Sequence, residues 1–177
     1  MNDLPAPLTT LEKIEAAGQK KEEGNTYFHA GEYLEAAKCY ENAAKFIEDD
    51  NDFSEEERNQ TRALKVACYL NDAACKLKLS ELNDDYLKVP KLCSKVLEID
   101  STNIKALYRR AKAYVNIADL DLAERDLKRA LEIDPGNRDV KDEYQVLNMA
   151  RMSLGVAETY SPGITRCFDD KKEKAKI

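Results

Sequence analysis

The chain has 177 residues, with 34 acidic side chains against 28 basic ones and a net charge of −6. That balance repels nucleic acid unless a local basic patch overrides it, and no apolar run approaches the ~20 residues needed to cross a bilayer. Aromatic residues are 7%, Trp is absent, and Gly and Pro number only 6 and 5, a mixture that favours helix over sheet.

The opening MNDLPAPLTT has neither a basic start nor an apolar core, so it does not read as a signal peptide. Residues 1–8 are expected to be a flexible leader. Thr9-x-x-Glu12 reads as a capping box opening a first helix that runs to about Ala30. A second helix is expected over Tyr33 to Glu48. The polar segment DDNDFSEEERNQ follows, and Ser54-x-x-Glu57 caps a third helix from about Glu55 to Leu79. Its partner is expected over Tyr86 to Leu97, with Pro90 tolerable near a first turn. Then come Ile104 to Ile117, Leu120 to Glu132 and a last helix, Arg138 to Leu154. Pro162, Gly163 and the charged end make 155–177 a tail expected to be disordered. The five cysteines, Cys39, Cys68, Cys75, Cys93 and Cys167, are odd in number and form no C-x-x-C pair. They read as free thiols in a reducing compartment such as the cytosol, serving as small core residues rather than as a disulfide framework or a zinc site.

A repeat organises these helices. Residues 24–50 align with residues 111–137: Gly24 falls on Ala111, Tyr27 on Tyr114, Ala36 on Ala123, Tyr40 on Leu127 and Ala43 on Ala130. A middle copy aligns Val89, Cys93 and Val96 with Ala123, Leu127 and Ala130, and Ala73 with Ala111, with four extra residues in SELNDD. A period of 34 with this small–large pattern is the tetratricopeptide signature, and three copies are the minimum for a stable stack. The expected fold is all-α: a right-handed superhelical solenoid of three helix-turn-helix repeats plus a C-terminal capping helix, spanning 9–154, with a concave inner face.

The first helix of each pair lines that face. Lys21 and Asn25 are four apart on the first, Lys105 and Arg109 four apart on the third, and Asn71 on the second aligns with Arg109. Like charges four apart cost a helix a few tenths of a kcal/mol. Three cations and two amides converging in a groove make an anion site, in which arginine can grip a carboxylate with two parallel hydrogen bonds. Arg110 and Lys112, in contrast, read as solvated residues off that face.

Lys21-x-x-x-Asn25, Asn71 and Lys105-x-x-x-Arg109 match all five positions of the dicarboxylate clamp of co-chaperone tetratricopeptide domains. The resemblance implies a partner: the free C-terminus of heat-shock protein 90 or 70, ending Glu-Glu-Val-Asp. By the same resemblance, Lys21, Asn25 and Asn71 take the terminal carboxylate. Lys105 and Arg109 take the Asp side chain or its neighbour, and Phe28 flanks the Val. KKEEGN, FSEEERNQTRALKVACYLNDAACKLKL, KLCSKVLEIDSTNIKALYRRAKAY and DLDLAERDLKRALEIDP resemble the helical domain of plant multidomain FK506-binding immunophilins, over roughly 9–150. The insertion in SELNDD and Val89-Pro90 depart from that family's pattern. In the long immunophilins the last helix carries a proposed calmodulin site, but RDVKDEYQVLNMARMSL has three basic and three acidic residues, which supports a basic calmodulin target poorly.

The immunophilin likeness raises proline isomerisation as a function. That activity needs a β-rich domain of about a hundred residues, and no strand-rich segment is left over. No catalytic residue, cofactor or metal is expected: His29, the single histidine, reads as a solvated residue at a helix end, and there is neither a Gly-rich phosphate loop nor a Cys/His cluster. The expectation is a non-catalytic cytosolic adaptor, with a generic groove scaffold as the alternative. The starting Met and the tail's departure from the family favour a complete short protein over a fragment of an immunophilin.

Overall fold

The computed structural model describes residues 7–79 and 85–155. Among the described residues seven α-helices follow one another: α1 (Thr10–His29), α2 (Tyr33–Glu48), α3 (Glu55–Leu79), α4 (Val89–Ile99), α5 (Ile104–Asn116), α6 (Leu120–Ile133) and α7 (Arg138–Ser153). Neighbours in sequence pack as neighbours in space. The first helices of successive pairs also touch, α1 on α3, α3 on α5 and α5 on α7, which gives the stack its inner layer. No strand occurs among the described residues, and no helix there is long and apolar enough to cross a membrane. The insertion in SELNDD, most of the leader, Cys167 and the tail from 156 lie outside the described residues.

The small–large pattern becomes the core. Ala36, Ala43, Ala73, Val89, Cys93, Val96, Ala111, Ala123, Leu127 and Ala130 are all fully buried, and Tyr40 nearly so. The thiols of Cys39, Cys68, Cys75 and Cys93 are free and buried, and burial pushes that of Cys93 up to about 12. Both capping boxes form. Thr9 Oγ1 accepts from the Glu12 amide while Glu12 accepts from the Thr9 amide, and Ser54 and Glu57 do the same. Asn103 and Asn137 cap α5 and α7 in the same way, each accepting from the amide three residues on.

Helix ends fall within one residue of expectation except at α4. There the chain makes a short 3-10 turn, Asp85–Leu87, and the α-helix starts only at Val89 and runs to Ile99. Pro90 sits in the first turn of α4. It has no N–H and disfavours helical backbone in the residue before it, so a helix entering from Tyr86 would break there.

Two close fits follow from the repeat. A Cβ at Gly24 would stand 2.8 Å from Tyr40 Cε1 and 3.0 Å from Cδ1, so α1 and α2 approach only because the side chain is missing. Gly24→Ala should cost about 1–3 kcal/mol of stability despite its better helix propensity. A urea midpoint unchanged from the parent would rule out that approach. Gly31 and Ala118 occupy the same turn in the first and third copies. Both have positive φ, 80° and 61°. Their amides donate to the equivalent carbonyls, Gly31 to Phe28 and Ala118 to Val115. Ala in that region carries strain of about 1–2 kcal/mol, partly offset by its smaller unfolded-state entropy. Ala118→Gly is therefore expected to stabilise by about 0.5–1 kcal/mol, read as a higher melting temperature.

Candidate functional site: a groove of cations and amides

Asn25, Phe28, His29, Tyr40, Asn71, Ala74 and Arg109 surround one cavity of about 230 Å³ on the inner layer. Four of the six expected groove residues are among them: Asn25 and Phe28 from α1, Asn71 from α3 and Arg109 from α5. Lys21 and Lys105 stand one helical turn before Asn25 and Arg109 and are not part of that lining. Lys21 is half-buried, and its charge is felt at the Cys68 thiol, one turn before Asn71 on α3. Lys105 is exposed. His29 is exposed at the cavity's rim.

A hydrogen-bonded chain fixes the two amides. Tyr40 is 1% exposed and donates its hydroxyl to Asn25 Oδ1 at 2.7 Å. Burial pushes its pKa up to about 12, so it stays a donor at neutral pH. Asn71 Nδ2 also donates to Asn25 Oδ1, at 3.3 Å. With its oxygen held twice, Asn25 presents Nδ2 outward, where it donates to Glu22 Oε2 at 3.0 Å. The other Glu22 oxygen pairs with Lys21 Nζ at 2.6 Å. Both bonds hold the Glu22 carboxyl below its ordinary pKa, Lys21 first. The α1 donors therefore already hold a carboxylate, one on an exposed side chain that an incoming acid can displace. Tyr40 was missed as an orienting residue. Its signal lay in the alignment, where a polar-tipped ring stands opposite Leu127.

Arg109 donates Nη1 to the Leu70 carbonyl at 2.7 Å. Burial, the first cause, lowers its pKa. It makes no ion pair among the described residues, and neither does Lys105. Lys76 pairs with Asp72 and Glu41, Arg151 with Asp121 and Glu124, and Arg110 with Asp126, whereas the half-buried Lys13 and Lys112 have no ion pair among the described residues. Arg110 and Lys112 correct the expectation of solvated residues. Arg110 is half-buried, with Nε and Nη2 each 2.7 Å from an Asp126 oxygen. Lys112 is half-buried and lies three and four residues beyond Arg109 and Tyr108, on the same face of α5.

A tetratricopeptide-repeat family model matches residues 104–137, the α5–α6 pair. The structure superposes on the C-terminal tetratricopeptide domain of a Plasmodium falciparum FK506-binding protein with a TM-score of 0.75 and 31% identity, covering 84% of this chain and 97% of that one. The chain belongs to the tetratricopeptide-repeat family. This tetratricopeptide domain is also 35% identical over 139 residues to peptidyl-prolyl cis-trans isomerase FKBP4 of Mus musculus, covering 78% of this chain but only 30% of that protein. It superposes with a TM-score of 0.64 and 27% identity on the C. elegans myosin chaperone UNC-45, solved in complex with a heat-shock protein 90 peptide, over 79% of this chain and 14% of that one. The relatives thus include the tetratricopeptide parts of FK506-binding immunophilins and of a chaperone. What matches is the protein-binding repeat, and the chain spans under a third of the FKBP4 relative's length.

Proposed function

We propose that this tetratricopeptide domain is a non-catalytic adaptor that holds the C-terminal tail of a heat-shock protein 90 or 70 chaperone, ending Glu-Glu-Val-Asp, in a two-carboxylate clamp. The observation that carries this reading is Arg109. A guanidinium taken partly out of water, with a backbone carbonyl as its acceptor and no carboxylate, is an anion site waiting for its charge. Lys105 one turn away offers a second cation, and the oriented amides of Asn25 and Asn71 offer donors at the same cavity. An extended chain laid across α1, α3 and α5 would put its terminal carboxylate on Lys21, Asn25 and Asn71, replacing Glu22. The preceding acidic side chains would then meet Lys105 and Arg109, and Phe28, already stacked edge-on with Tyr33 at 5.3 Å, would give the Val an apolar wall. UNC-45, with its heat-shock protein 90 peptide, supports the class of ligand.

The test is the terminal carboxylate itself. A pentapeptide Met-Glu-Glu-Val-Asp should bind, and its C-terminal amide should bind at least about tenfold more weakly, a loss of about 1.4 kcal/mol. Equal binding of acid and amide by calorimetry would replace the clamp with an ordinary groove scaffold. The isomerase activity named for FKBP4 would need a segment other than the one matched here, because the described residues present only helices and a groove of cations and amides.

A further inference from the structure

Beyond the clamp residues, the charge reverses from α5 to α7. Lys105, Tyr108, Arg109 and Lys112 form one stripe on α5 at i, i+3, i+4 and i+7, and α7 packs beside it. Asp139, Asp142 and Glu143 form the answering stripe on α7, and all three act on the Tyr108 hydroxyl. Asp139 and Asp142 are exposed, but Glu143 is only 7% exposed. Glu143 makes no hydrogen bond and no ion pair among the described residues. Lys112 is near enough to favour its charged form yet does not close on it, and burial, the larger influence, raises its pKa. The other buried carboxylates of this domain, Asp72 and Asp126, are each bound to a cation. Its oxygens are not sealed off, since no buried side-chain oxygen among the described residues lacks a partner; Glu143 thus keeps an unpaired carboxylate within reach of solvent on α7, the helix packed beside the unpaired Arg109 on α5.

We propose that Glu143, flanked by Asp139 and Asp142, is a second subsite of the groove that takes the guanidinium or ammonium group of a ligand residue about five positions before its C-terminus. The inference rests on the clamp reading, which fixes where the ligand ends. Its spacing follows from helix packing. Inner helices stand about 8–10 Å apart, so α7 lies two steps, or about 16–20 Å, from the Asn71 helix that would hold the terminal carboxylate. An extended peptide covers about 17 Å in five residues. Such a ligand is bipolar, acidic at its end and basic just upstream. The groove therefore selects among tails with the same acidic end by the charge of the residue that reaches α7. Tyr108, between the two stripes, offers a ring face to the cation's stem.

The heat-shock protein 90 peptide Ser-Arg-Met-Glu-Glu-Val-Asp carries Arg at that position and is the probe, against Ser-Ala-Met-Glu-Glu-Val-Asp. Calorimetry on the parent domain should show the Arg peptide binding about fivefold tighter, and Glu143→Gln should shrink that ratio to about twofold or less while binding the Ala peptide as before. Asp142→Asn, an exposed change, should shrink it less. The ratio within each protein is its own reference, so a variant that fails to fold shows itself by losing both peptides, and Asp142→Asn then carries the comparison. An Arg advantage undiminished in Glu143→Gln, or no Arg advantage in the parent, overturns the subsite and leaves the clamp standing. If neither peptide binds the parent domain, the clamp reading falls and the subsite with it.

Discussion

Arg110→Ala should lower the unfolding free energy by about 3–5 kcal/mol, the cost of removing one partner from a buried ion pair. The Arg110 guanidinium joins three helices. From α5 it donates twice to Asp126 on α6 and once, at 2.9 Å, to Ser94 Oγ on α4. Asp126 is 4% exposed, so without Arg110 its charge has neither water nor a cation. The pair itself is a different matter, since replacing both members with apolar residues of similar volume is often neutral or better. Arg110→Met with Asp126→Leu should therefore recover most of what Arg110→Ala loses. Urea unfolding of the two variants and the parent separates the cases. A loss below about 1 kcal/mol in Arg110→Ala would mean that Asp126 is solvated once its partner is gone. Peptide affinity of whatever Arg110→Ala remains folded should be close to that of the parent, because Arg110 points away from the groove into α4 and α6.

That contrast shows where sequence reading succeeds and where it stops. Period and size were legible because they are local: the Ala–Leu–Ala pattern at a spacing of 34 fixes which positions bury, and every aligned position but the half-buried Tyr27 and Tyr114 is buried. Capping boxes were legible for the same reason, as both partners lie within three residues. Arg109 and Arg110 look alike in KALYRRAKAY, yet 100° of helical rotation sends one to the groove and the other to the next helix. Asp126, sixteen residues on, could be assigned to Arg110 only once α6 was docked on α5. Lys112 was misjudged for a simpler reason, since seven residues from Lys105 is two turns and returns to the same face. Tyr40 on Asn25 and Glu22 on Lys21 depend on rotamers, which no spacing rule supplies. Glu143 was invisible as well. Its burial comes from α7 lying against α5, and nothing in RDVKDEYQ distinguishes it from the exposed acids beside it.

Arg109→Ala should weaken binding of Met-Glu-Glu-Val-Asp by about 1.5–3 kcal/mol, roughly tenfold to a hundredfold or more, the range for a hydrogen bond to a charged group. Lys105→Ala should cost less, about 1 kcal/mol, because solvent screening already weakens the attraction of an exposed ammonium. Arg109→Lys separates charge from geometry: it keeps the cation but loses the two-pronged grip, so it should fall between the parent and Arg109→Ala. None of these changes should unfold the domain. The Leu70 carbonyl that Arg109 contacts lies mid-helix in α3, where the backbone already supplies a donor, and releasing a half-buried cation that has no carboxylate removes a cost as well as a contact. Arg109→Ala should therefore melt within about 1 kcal/mol of the parent while Arg110→Ala, its neighbour, does not. Calorimetry and thermal melts on these four variants and the parent give the answer together. Peptide affinity undiminished in both Arg109→Ala and Lys105→Ala would remove the clamp. Lost affinity with a collapsed melt in Arg109→Ala would mean that its hydrogen bond to Leu70 holds the stack, not the ligand.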